Sequence, residues 1–349
     1  MSKGKLVRSF LLEYKKRESS SEDTEIDIHI NLWGVNAQRS ENAPVMVFDF
    51  GFMIKNIKSV SRIIMYCPFH IDEVEDLGGK LSQKPDLIEA IFNENCEVLS
   101  KIHPNRTKIT KRGSHFKSSS GDKKDFILYK LDKSLISFRD QDEYGRIEIN
   151  VGNILSGNEK SFSELSKVKT YYFRIRIHPK INDPIYVLKR ENEDANILQN
   201  LSLRITEIID FRINDFRAIT DNMKEEVFRL NTFNISSIHY LIMRDSTDEF
   251  ISGSDSYKSR LLEREVWKDY IALDNNDVIA YHFKEISGKK GEGYISSFTN
   301  LSRFKYPLNL KRRIIPYILA IMAISVAANM VYGFLGWVFS FLSRVIFGG

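Results

Sequence analysis

From Glu25 to Trp33 the chain reads EIDIHINLW, and Ile26, Ile28, Ile30 and Leu32 alternate with polar positions, the period-two pattern of a half-buried strand. VMVFDFGFM, RIIMYCPF, FILYKL, RIEINV and TYYFRIRIHP carry similar apolar runs. KPDLIEAIFNE differs: Pro85 and Asp86 suit a helix start, and Leu87, Ile88, Ile91 and Phe92 share one helical face. Several short strands with one brief helix predict a β-rich, sandwich-like region over residues 1–182, not a parallel α/β fold.

After Asn182 the texture changes. NILQNLSLRITEIIDFRINDF fits either a strand or a long mixed segment. SIHYLIMRD and DVIAYHFKEI read as strands flanking a helix at SYKSRLLEREVWKDYIAL, where Leu261, Leu262, Val266, Trp267 and Ile271 recur at helical spacing. The expectation is a smaller α+β region over 183–299. GKKGEG, Gly288 to Gly293, reads as a hairpin turn or loop, and residues 300–313 as a basic juxtamembrane linker.

The end of the chain has another pattern. Ile314 to Ser343 holds 30 residues without a charge, well beyond the roughly 18 that mark a transmembrane candidate. A split at Asn329 or Gly333 would leave arms of about 15 residues, short of the roughly 20 needed to cross, so one C-terminal transmembrane helix is expected over 314–343, with an interfacial tail to 349. Tyr317 and Trp337 stand where interfacial aromatics belong, about 30 Å apart along a helix. Pro316 falls in the first turn, where its missing N–H costs little. Arg303, Lys305, Lys311, Arg312 and Arg313 crowd one flank against Arg344 on the other, which predicts a single-pass protein of the cytoplasmic membrane with its bulk in the cytoplasm. The N-terminus offers only the short apolar run Phe10 to Leu12, too little for a signal peptide, so a tail anchor is expected. Ser325, Asn329, Gly333, Gly336, Ser340 and Ser343 follow steps of three and four and share a face. In lipid such a face packs helices closely or lines an oligomeric pore, so a homo-oligomer is expected.

Composition narrows the remainder. With 42% hydrophobic and 28% charged residues the chain is globular. Cys67 and Cys96 lack paired spacing, so no disulfide framework or zinc site is expected and a reducing compartment fits. The net charge of +5 is unevenly spread, since Lys101 to Lys124 alone carries eight Lys/Arg and one Asp. Lys101, Arg106, Lys108, Lys111, Arg112 and Lys117 are therefore candidates for a phosphate ligand or anionic headgroups. Sequence-specific DNA binding is not expected, because no reading helix accompanies them.

Other constellations reduce to structure. DQDEYGRIEINV mimics the start of a calcium loop at Asp140, Asp142 and Gly145, but Val151 stands where a bidentate Glu is needed, so a hairpin turn is expected. Alternating charges in DFRINDFR (Asp210, Arg212, Asp215, Arg217) suggest the polar face of a strand. The seven histidines lack the paired spacings of zinc hydrolases, and phosphate-loop, dinucleotide, nucleophile-elbow and kinase signatures are missing. No cofactor, metal or catalytic residue is thus assigned. The expected function is a cytoplasmic sensor or binding domain whose C-terminal helix self-associates. In layout this looks like bacterial anti-phage effectors that fuse a soluble sensor to a membrane helix and permeabilise the bilayer, an analogy carried by no family motif. A membrane-tethered scaffold that recruits an unidentified protein partner is the alternative, and a tethered hydrolase or nuclease the second.

Overall fold

The computed structural model describes residues 7–34, 46–112, 124–154, 168–180, 185–190, 204–253, 256–271, 277–288, 293–307 and 311–347. The body is β-rich, with three sheets, a few short helices and a single long apolar helix at the C-terminal end. Strands and helices are numbered along the chain.

The largest sheet runs β17 (Lys258–Leu261), β18 (Val278–Ile286), β15 (Asn234–Asp245), β2 (Glu25–Trp33), β3 (Val47–Ile54), β11 (Tyr171–Pro179), β8 (Lys124–Tyr129), β7 (Arg106–Arg112) and β6 (Asn95–His103). A tenth strand, β5 (Ile71–Asp76), also pairs with β11. β15 lies parallel to β2, setting His239 opposite His29. Strands from both sides of position 182 therefore share one sheet. A five-stranded sheet runs β14 (Asn231–Thr232), β1 (Leu11–Lys16), β4 (Val60–Cys67), β10 (Tyr144–Asn150) and β9 (Ile136–Gln141). A four-stranded sheet runs β12 (Tyr186–Arg190), β13 (Arg204–Ile213), β19 (Phe298–Pro307) and β16 (Glu249–Ser252).

Alternation decides which face packs where. On the large sheet Ile26, Ile28, Ile30 and Leu32 join Phe48, Phe50, Phe52, Phe173, Ile175, Ile238 and Tyr240. They meet Leu12, Tyr14, Ile63, Met65 and Ile147 of the five-stranded sheet and Ile209, Phe211 and Phe304 of the four-stranded one. Buried side chains of this size are each worth about 1.5–3 kcal/mol, so this sandwich is the main source of stability. The opposite face of the large sheet packs Trp33, Met53, Tyr172, Leu128 and Met243 against Leu81, Leu87, Ile88, Trp267 and Tyr270. Those come from α1 (Gly78–Gln83), α2 (Pro85–Phe92), α4 (Arg264–Trp267) and the turn after it. A third layer sets Leu11, Ile64 and Tyr66 against Met223 and Val227 of α3 (Asp221–Val227). Buried Arg244 of β15 ties two sheets together, meeting Glu207 of β13 and Asp248 at 2.8 Å each.

Local expectations meet the fold unevenly. α2 forms where proline and the apolar stripe place it, and Asn93, at φ 51°, ends it in the left-handed region. The DQDEYG stretch is the β9–β10 hairpin, with Asp142 at φ 45° in the turn, and Asp140 accepts from the Ile71 amide and Lys180 instead of offering itself to a cation. The helix expected over 256–273 is corrected: Lys258–Leu261 is an edge strand on β18 and only Arg264–Trp267 is helical. The apolar residues there coincide with helical spacing, but strand pairing satisfies the backbone first, leaving Leu261 at 60% exposure. The linker expected from residue 300 is likewise strand β19 as far as Pro307. Asn300, Ser302 and Phe304 point inward, and Leu301 and Arg303 outward. Cys67 and Cys96 are buried free thiols.

The chain closes in α5 (Lys311–Phe347), 37 residues unbroken at Asn329 and Gly333. At 1.5 Å per residue it is about 55 Å long, more than a hydrocarbon core. Ile321–Ile346 is the stretch long and apolar enough to cross a membrane, and none of it is buried inside the protein.

Candidate functional site

Three regions carry candidate chemistry, and α5 is the first. Ser325, Asn329, Gly333, Gly336 and Ser340 are all exposed along it, and a methyl group added at Gly333 or Gly336 would meet no atom within 4 Å. No described part of the chain covers that face. Trp337 is 63% exposed and stacks on Phe334 and Phe341 at 6.2 and 5.8 Å. Lys311, Arg312, Arg313 and Tyr317 lie in the first two turns of the helix.

The basic segment, read in sequence as one patch, is divided by the β7 strand it forms. Arg106 is buried, donates to the Ile154 carbonyl and lies 6.0 Å from the Tyr129 ring. Lys108 pairs with Asp125 at 2.8 Å, Arg112 with Glu97 at 2.6 Å, and Lys111 approaches Glu94 at 3.7 Å while sitting 4.3 Å over the Phe92 ring. Lys101 contributes to β6 by its backbone, and Lys117 lies outside the described residues. The hairpin's acidic partners, unremarkable in sequence, thus occupy much of its charge. The DFRINDFR charges also pair among themselves, Arg212 with Asp210 and Asp215, and Arg217 with Asp215.

The third region is the helix-covered face of the large sheet. At its centre Asp49 accepts from Arg176 at 2.7 and 3.1 Å and from the Trp33 indole at 2.7 Å. Burial opposes the Asp49 charge, but Arg176 and Arg174 more than offset it and hold the carboxyl below its usual range. Arg174, fully buried, donates to the Tyr270 and Tyr172 hydroxyls at 2.6 and 2.9 Å, and the Asn31 amide oxygen is oriented to accept from it. Gly51 opposite it is required: a Cβ there would lie 2.1 Å from the Tyr172 hydroxyl. The Arg174 and Arg176 guanidiniums are thus held by acceptors inside the protein, and the cluster braces the sheet.

Beyond it the same face carries three histidines on neighbouring strands. His29 and His239 meet edge to face at 5.1 Å, and His239 and His282 stack at 5.2 Å with ring nitrogens 3.2 Å apart. Sequence spacing could not reveal them, because 210 and 43 positions separate residues that the sheet makes neighbours. Burial first, and then the charges of Lys111, Lys258, Arg260 and Lys284, lower all three below the ordinary histidine range, His239 to about 3. They are neutral at physiological pH. Among the described residues no three His, Cys, Asp or Glu side chains are placed to hold one metal ion. A cavity of about 340 Å³ lies nearby between α2 and α4, bordered by Glu89, Asn93, Glu94, Arg260 and Glu263.

No family model matches the chain, and no curated protein matches it. Among solved structures it is similar to the Fcho1 Mu homology domain (Danio rerio) with bound Eps15 peptide, at 8% identity and a TM-score of 0.18, over 84% of this chain and 80% of that one. So low a score carries no argument about fold or function.

Proposed function

We propose that the protein is a membrane-anchored binding module: α5 crosses a cytoplasmic membrane once, and the β-rich body on its cytoplasmic side recruits or senses a partner. The observation that carries this reading is α5 itself. A helix with a 26-residue apolar stretch and no side chain of it buried in the protein leaves apolar surface that water would charge at about 25 cal/mol per Å², and a bilayer removes that cost. The basic residues Lys311, Arg312 and Arg313 favour the body's side as cytoplasmic.

Self-association through the Ser325, Asn329, Gly333, Gly336 and Ser340 face is part of the proposal, since close helix packing in lipid uses such residues. Permeabilisation, as in an anti-phage effector, would require that association to open a water path. Leakage of a dye from vesicles carrying the protein separates a pore from an anchor. The anchoring is tested by flotation of the full chain with membranes after alkaline carbonate treatment. It is expected to float with the lipid, and release into the soluble fraction would overturn the proposal.

A further inference from the structure

We infer that the open part of the large sheet's outer face, formed by Lys258, His282, Lys284 and His239, binds a phosphate group. The inference deepens the proposed binding module by naming its ligand class, and it rests on that reading.

The register sets the geometry. Lys258 lies directly opposite His282, and Lys284 directly opposite His239. Directly opposed Cβ atoms are about 5 Å apart and diagonal neighbours about 7–8 Å, so two ammonium groups flank one imidazole pair within reach of a single small ligand. Among the described residues neither ammonium has an ion-pair partner. The carboxylates that face this surface are used: Asp27 accepts from Ser237, Glu94 lies beside Lys111, and Glu263 lies beside Arg260. Two like charges without a counter-charge repel, and a dianion between them removes that repulsion.

The imidazoles supply directional donors. When two neutral rings share one hydrogen bond, the accepting nitrogen carries no proton, so the accepting ring must hold its N–H on its other nitrogen. The His239–His282 contact at 3.2 Å therefore leaves at least one N–H for an outside acceptor. Next to the pair, buried His29 has an Nδ1 without a hydrogen-bond partner. A metal cation does not suit the place, since the positive charges of Lys111, Lys258, Arg260 and Lys284 that crowd the histidines would repel it. A phosphate oxygen accepts from ammonium and imidazole alike, and such charge-assisted bonds are the strong ones.

The test is calorimetric titration of inorganic phosphate into the full chain held in phosphatidylcholine nanodiscs. Saturable one-to-one binding is expected, at least tenfold weaker in Lys258→Gln/Lys284→Gln, restored in Lys258→Arg/Lys284→Arg, and unchanged in Arg112→Ala on the other side of the sheet. Repeating it in nanodiscs with phosphatidic acid identifies the source: suppressed titration means headgroups fill the site, and unchanged titration means a soluble phosphate does. No saturable binding, or binding indifferent to the lysine pair, overturns the inference. Failure of the anchoring shows separately and earlier, as protein eluting apart from the discs.

Discussion

Glu13 offers a sharp test of the fold's electrostatics. It sits on β1 between Leu11 and Lys15, fully buried, and neither carboxyl oxygen has a hydrogen bond of ordinary geometry. Burial pushes it from 4.5 up to about 8, the facing Thr232 side chain relieving it only in part. The folded state therefore holds this proton where the unfolded chain has lost it. Its contribution is intact below pH 4.5, falls as pH rises, and is fully lost above about 8. At about 1.4 kcal/mol per pH unit the whole loss is at most about 5 kcal/mol. Glu13→Gln keeps the shape of the protonated acid and cannot ionise. Urea denaturation of both proteins between pH 5 and 8.5 should show the variant gaining on the parent by several kcal/mol, with the difference growing up to about pH 8 and then levelling off. Other raised groups, such as Asp76 at about 6, cancel in the comparison. A difference that stays constant with pH would refute the reasoning, because Glu13 would then titrate alike in both states.

Two other changes probe the buried cluster and the anchor. Asp49→Asn leaves Arg174 and Arg176 without their carboxylate and should cost about 3–5 kcal/mol in the urea transition, as expected when one partner of a buried pair is removed; a cost below about 1 kcal/mol would show that the cluster does not brace the sheet. Asn329→Leu together with Gly333→Leu should abolish cross-linking of the full chain to itself in membranes while leaving it membrane-bound, and unchanged cross-linking would remove that face from the contact.

The fold was legible wherever one face of an element is buried. Ile26 to Leu32 alternates because one face of β2 enters the sandwich while the other, also buried from His29 on, carries His29 and Asn31 under the helix layer, and Leu87, Ile88 and Phe92 repeat as a helix does. Short edge elements were not legible. Lys258–Leu261 is too brief for its period to outvote the apolar spacing that follows, and β19 hides its inward face behind Asn300 and Ser302. The long apolar helix could be read almost completely, since length and absence of charge are local properties. The histidine row could not, because it exists only through the β2, β15 and β18 register, and nor could the ion pairs of the basic segment, because Asp125, Glu97 and Glu94 reach it through the fold.

The central claim, one crossing with the body on a single side, is tested most directly by trypsin added outside sealed vesicles that display the body outward. Between Arg313 and Arg344 there is no lysine or arginine. The account predicts a protected fragment that begins at Ile314 and retains Arg344 uncut, because that arginine lies across the bilayer. Cleavage at Arg344 in intact vesicles would place both ends of α5 on the same side and contradict it.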